Sequence, residues 1–134
     1  MLNIASFDID GVLYLGPDIP SIRPNKDDVI ITGRSYEERN ETLAMLQKYG
    51  KLYSDTQVFF NPLKYALKTR ESSGLHKSNT INEFNRISRH KNIIIHYEDD
   101  EVQAAVISKN CPGIILVMIN HTLTDKENVR HTTY

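Results

Sequence analysis

The sequence predicts an α/β domain: a doubly wound, mainly parallel sheet with helices on both faces and no cap domain. Two observations lead there. Four runs, residues 2–9, 29–32, 92–97 and 114–120, have strand length and are rich in Ile, Val, Phe or Tyr. Several are apolar almost throughout, which marks central strands of a parallel sheet covered on both sides. Helical patterns fall between them, and strands alternating with helices form βαβ units whose right-handed crossovers give an open sheet. Such sheets bind ligands at the carboxyl ends of their strands. The polar residues just after each apolar run are therefore the candidates for function.

The elements follow in order. After the second run, Ser35 and Glu38 form a capping-box pair, Tyr36, Leu43 and Leu46 share one helical stripe, and Gly50 is a stop. Residues 57–60 are a weaker fifth strand. Thr80 and Glu83 form a second capping box, with Ile81, Phe84 and Ile87 on one face of the helix they start. A third helix starts at Asp100, with Gln103 three residues on and Val102, Ala105 and Val106 as its apolar positions. Residues 15–28 hold three of the five prolines and no periodicity, so they read as a loop. The polar tail, residues 122–134, is expected to fray.

Composition narrows the class. A chain of 134 residues fits a single domain, spanning residues 1–134, with a sizeable core. A net charge of -1 gives no global field toward nucleic acid or anionic membrane, although a local basic groove stays compatible with it. The single cysteine, Cys111, excludes an intramolecular disulfide and fits a reducing compartment, most simply the cytoplasm. Beside Pro112-Gly113 it reads as a buried small hydrophobe. No signal peptide and no membrane-spanning run is expected. No Cys/His cluster has zinc spacing.

The chemistry concentrates at strand ends. The first run closes on Phe7-Asp8-Ile9-Asp10-Gly11-Val12-Leu13. Residues two apart on a strand share a face, so Asp8 and Asp10 project together, and two close carboxylates need a cation or a shared proton. Gly11 permits the tight turn that follows. After the second run, Thr32 and Gly33 with the next helix amides could hold a phosphate oxygen, and Arg34 could add a charge-assisted contact. The third run ends in Glu98-Asp99-Asp100. Asp100 takes the N-cap position, which leaves Asp99 at the strand end, where a metal ligand would stand. A cation is also needed. Lys77 lies just before the helix that Thr80 is expected to cap, and Lys68 and Lys64 compete with it.

An Asp-x-Asp-Gly after strand one, a Thr after strand two, an intervening Lys and an acidic pair after a later strand resemble the haloacid dehalogenase-like phosphatases. The resemblance spans residues 4–100, and its motifs stand in the family's order. It implies a Rossmann-type fold and a magnesium-dependent phosphomonoester hydrolase. Asp8 would be the nucleophile and Asp10 the general acid/base. Thr32 and Lys77 would bind phosphate, and Asp8, the Asp10 carbonyl and Asp99 would bind magnesium. Val12 departs from the family's usual Thr. Oxygen-only ligands suit magnesium rather than zinc.

Spacing bears on the substrate. Asp10 and Thr32 are 22 positions apart and Thr32 and Lys77 are 45, and neither gap fits a sizeable cap. The site is expected to be open, taking a large substrate or borrowing a lid from another subunit, so a homo-oligomer is compatible. Thr-Gly-Arg and the small size also resemble the 3′-phosphatase domain of phage-type polynucleotide kinase/phosphatases. That resemblance, with Lys64, Lys68, Arg70, His76 and Lys77 in one stretch, would suit a nucleotide or nucleic-acid end. A phosphorylated small molecule is the other substrate class, and no membrane partner is expected. The alternatives are a receiver-like domain and a catalytically silent phosphate- or metal-binding domain. Against the receiver, Asp55 precedes a strand and no lysine follows residues 114–120.

Overall fold

The computed structural model describes residues 1–121. Five parallel strands form one sheet: β1 (Leu2–Phe7), β2 (Val29–Ser35), β3 (Val58–Asn61), β4 (Lys91–Glu98) and β5 (Ile115–Met118), in the order β3-β2-β1-β4-β5. Three helices cover it: α1 (Arg39–Lys48), α2 (Arg70–Ile87) and α3 (Glu101–Asn110). The chain steps from β1 outward to β3, returns through α2 to β4 on the other side of β1, then continues outward to β5. Strand order thus reverses between β1 and β4, which is where such sheets open a crevice.

Alternation along the strands divides the core into two layers. Ile4, Val29, Ile31 and Ile93 pack with Ile81 of α2, Ile107 of α3 and Cys111 on one face. Ala5, Phe7 and Ile30 pack with Leu46 of α1 and with Ile9, Val12 and Leu13 on the other. Helices therefore lie on both faces, and β1 is apolar on both sides because it is central. Cys111 is buried, and burial pushes its thiol up, as suits an inert hydrophobe.

Two helix starts differ from the sequence expectation. The pair at Ser35 and Glu38 forms, with the Ser35 N–H donating to Glu38 Oε2 at 2.8 Å, but it opens a 3₁₀ turn, Tyr36–Glu38, ahead of α1. Tyr36 consequently leaves the buried stripe and is exposed. The larger difference is α2. It starts at Arg70 under a Thr69–Ser72 capping box, so Thr80 lies inside the helix and its hydroxyl donates to the His76 carbonyl at 2.8 Å. Ser72 stands where the signature asks for Glu or Gln, and Gly74 reads locally as a breaker. The reason for Gly74 is tertiary. A Cβ there would lie 2.9 Å from Val106 Cβ and 3.0 Å from Gln103 Cα, because α2 and α3 meet at that point.

The prolyl loop, residues 15–28, is tied down at polar points. Asp28 Oδ1 accepts the Ala5 N–H at 2.9 Å, and Lys51 Nζ donates to the carbonyls of Ser21 and Ile22 at 3.1 and 2.9 Å. No cap domain interrupts the described residues, and no helix among them is long and apolar enough to cross a membrane. The tail expected to fray, residues 122–134, lies outside the described residues.

Candidate active site

The strand reversal sets the site. Asp8 directly follows β1 and donates its N–H to the Tyr97 carbonyl of neighbouring β4 at 3.0 Å. One residue on, β4 ends at Glu98, followed by Asp99. Asp8, Glu98 and Asp99 each present an oxygen within 4.8 Å of the others, and all three residues are buried. Three carboxylates so close repel one another strongly. Lys77 answers part of that charge from mid-α2: its Nζ lies 3.0 Å from Asp8 Oδ1 and 2.8 Å from Glu98 Oε1, with a side chain 0% exposed. One ammonium leaves the ionised group net negative. It is a set of hard oxygen donors that could hold a cation, and such donors suit a hard divalent ion.

Lys77 was expected at a helix entrance. Because α2 starts at Arg70, it instead lies mid-helix, on the side of α2 that faces the ends of β1 and β4. Lys68 is also buried, and its Nζ donates to the Gly33 carbonyl at 2.9 Å and to Glu38 at 3.1 Å.

Glu98 anchors the lysine. Its Oε1 accepts from Lys77 and from His96 Nε2 at 3.1 Å, while Oε2 accepts the N–H groups of Asp99 and Asp100 at 3.2 and 3.3 Å. A carboxylate offers about four acceptor positions, so bonds to both oxygens fix its orientation. Burial pushes the Glu98 carboxyl up, but the Lys77 charge and the His96 bond outweigh it and hold Glu98 below the usual carboxylate range. Burial lowers His96, so its ring is neutral. The Nε2 proton goes to Glu98, and Nδ1 accepts from the Ser6 hydroxyl at 2.7 Å. Ser6, His96, Glu98, Lys77 and Asp8 thus form one buried polar chain.

No family model matches the chain, and neither curated proteins nor solved structures give a significant match to it. The geometry alone therefore speaks for the remaining residues.

Asp10 is near this group in sequence but engaged elsewhere. Arg34 forks onto it, Nε to Oδ2 at 2.9 Å and Nη2 to Oδ1 at 2.7 Å, and Arg34 Nη1 also donates to Thr42 Oγ1 at 3.2 Å. Both partners keep side chains 20% exposed. Thr32 is fully buried, and its Oγ1 accepts the Arg34 N–H at 3.0 Å. The amides expected to extend the Thr32-Gly33 cradle do not belong to an α-helix start, because β2 runs to Ser35 and α1 begins only at Arg39.

Asp99 and Asp100 separate. Asp99 joins the acidic group, while Asp100 caps α3, with Oδ1 accepting the Val102 N–H at 2.9 Å. Arg70 forks onto Asp100 at 2.6 and 2.9 Å. Burial pushes the Asp100 carboxyl up, but the Arg70 bond leads the opposing effects and leaves it lowered.

Gly11, at φ +83, makes room for Asp99: a Cβ there would collide with Asp99 Oδ2 and would lie 2.6 Å from His121 Nε2. His121 Nε2 is 3.1 Å from Asp99 Oδ2. Asp8 and Asp99 are 2% and 3% exposed, although no cap domain stands among the described residues. Of the basic stretch, Lys68 and Lys77 point inward and Arg70 is bound to Asp100, while Lys64 is exposed.

Sequence reading missed His96, Glu98 and His121. His121 had a usable signal, as the first residue after the last apolar run. Glu98 stands in the Glu98-Asp99-Asp100 strand end, where sequence alone assigns it no role of its own.

Proposed function

We propose that this chain is a magnesium-dependent phosphomonoester hydrolase that attacks phosphorus with Asp8. The observation that carries the reading is the buried Lys77 ammonium 3.0 Å from Asp8 at the carboxyl end of the central strand. A carboxylate held there by a fixed cation can attack in line. The Asp8–phosphorus bond forms, the bond from phosphorus to the leaving oxygen breaks, and the protonated Asp10 carboxyl gives that oxygen its proton. Asp10 then takes a proton from water, whose oxygen displaces Asp8 and releases inorganic phosphate. Asp8, Asp99 and the Asp10 carbonyl would hold magnesium, whose charge when bound offsets repulsion between carboxylate and phosphate. Lys77, fixed by Glu98, offsets more of the same charge.

For Asp10 to serve as acid and base, Arg34 has to release it, and an incoming phosphate is a suitable competitor for that guanidinium. With Lys68 and Lys77 buried and Arg70 bound to Asp100, small phosphomonoesters are the favoured substrates over nucleic-acid ends. A catalytically silent phosphate- or metal-binding domain is the second reading, and the Arg34–Asp10 fork is what favours it. The receiver reading loses ground on topology, because doubly wound receivers run 2-1-3-4-5 and this sheet runs β3-β2-β1-β4-β5.

Turnover of p-nitrophenyl phosphate tests the proposal. Hydrolysis that stops on chelation and returns with added magnesium supports it. Magnesium and phosphate binding without hydrolysis favours the silent reading. A screen of sugar phosphates, nucleotides and 3′-phosphorylated oligonucleotides then ranks the substrate classes.

A further inference from the structure

We propose that His121 is a positioning residue that fixes the Asp99 carboxylate for cation binding; this rests on the reading of Asp8 and Asp99 as cation ligands. His121 follows β5, the strand next to β4, so its ring reaches the residue just beyond β4 from the neighbouring strand end. Its Nε2 lies 3.1 Å from Asp99 Oδ2, and the two side chains are 6% and 2% exposed. An ionised carboxylate only accepts, so the ring donates its Nε2 proton to Oδ2. A carboxylate bonded at one oxygen has a fixed plane, and its other oxygen keeps a fixed direction. Outer partners of this kind set the orientation of ligating groups and strengthen their hold on a metal.

The backbone is shaped around this pair. At Gly11 the left-handed φ of +83 and the missing Cβ leave the space that Asp99 Oδ2 and His121 Nε2 occupy. The turn that carries Asp8 and Asp10 thus runs directly beside that pair.

Three proteins test this: wild type, His121→Ala and His121→Gln, whose amide can donate to the same oxygen. The probe is Mn²⁺ alone, followed by electron paramagnetic resonance and calorimetry without substrate, with thermal melting of the metal-free proteins alongside. The expected result is Mn²⁺ binding by wild type, a dissociation constant raised about 10- to 100-fold in His121→Ala, and recovery of most of that loss in His121→Gln. Equal Mn²⁺ affinity in wild type and His121→Ala would overturn the inference while leaving the metal site standing. A lower melting temperature for both variants with unchanged Mn²⁺ affinity would make His121 merely structural. A wild type that binds no Mn²⁺ would remove the cation reading itself, a different failure that the wild-type titration alone identifies.

Discussion

The Lys77 ammonium stands 3.0 Å from Asp8 Oδ1, with the two side chains 0% and 3% exposed. A buried pair like this is costly to break from one side, because the remaining charge has no water to turn to. Lys77→Met should destabilise the protein by about 3–5 kcal/mol, the usual cost of orphaning a buried charge. Urea denaturation at neutral pH measures it. A loss near zero would mean that Asp8 and Glu98 find other partners.

Asp99 and Asp100 are neighbours with different duties, and their variants should divide accordingly. Asp99→Ala should raise the magnesium concentration needed for activity with little effect on the fold. Asp100→Ala removes the α3 cap and should cost about 0.5–2 kcal/mol for that bond alone, with more for the abandoned Arg70. Magnesium dependence and thermal melting of both variants decide the matter, and the reverse pattern would exchange their roles.

Gly74→Ala sets two effects against each other. Alanine gains about 1 kcal/mol of helix propensity over glycine. Its Cβ, however, would press on Gln103 Cα at 3.0 Å, and backbone cannot yield as a side chain can. Overpacking of this kind costs about 1–3 kcal/mol, so net destabilisation is expected. A higher melting temperature would show that α2 and α3 can separate at no cost.

His76 gives a pH dependence with a definite sign. Burial, followed by the Lys77 charge, lowers its pKa to about 4 from 6.5. The unfolded chain then binds more protons between those values, so folding stability falls as pH drops from about 6.5 to about 4 and the contribution is flat below that. His96 is lowered in the same direction, so His76→Gln should reduce the slope without abolishing it. Urea midpoints across this range check the point, and an unchanged slope would place the His76 ring in water.

What could be read in the sequence follows from locality. Asp8 was legible because a run apolar on both faces marks a central strand, and the strand end locates the crevice. Asp99 and Asp100 could be told apart because an N-cap is a local feature. The α2 start was not legible, since Gly74 makes sense only once α3 lies against it. Likewise the Ser6–His96 bond depends on how β1 is set against β4, and no local pattern gives that register. Arg34 reads locally as a phosphate contact. Its fork on Asp10 joins the end of β2 to the turn after β1, 24 residues apart in sequence.

The central claim is that Asp8 is the nucleophile, and the most direct measurement compares p-nitrophenyl phosphate turnover by wild type and Asp8→Asn at saturating magnesium. The account predicts turnover by wild type and none by the variant, with circular dichroism showing both folded. Retained turnover by Asp8→Asn, or no turnover by wild type, would contradict it.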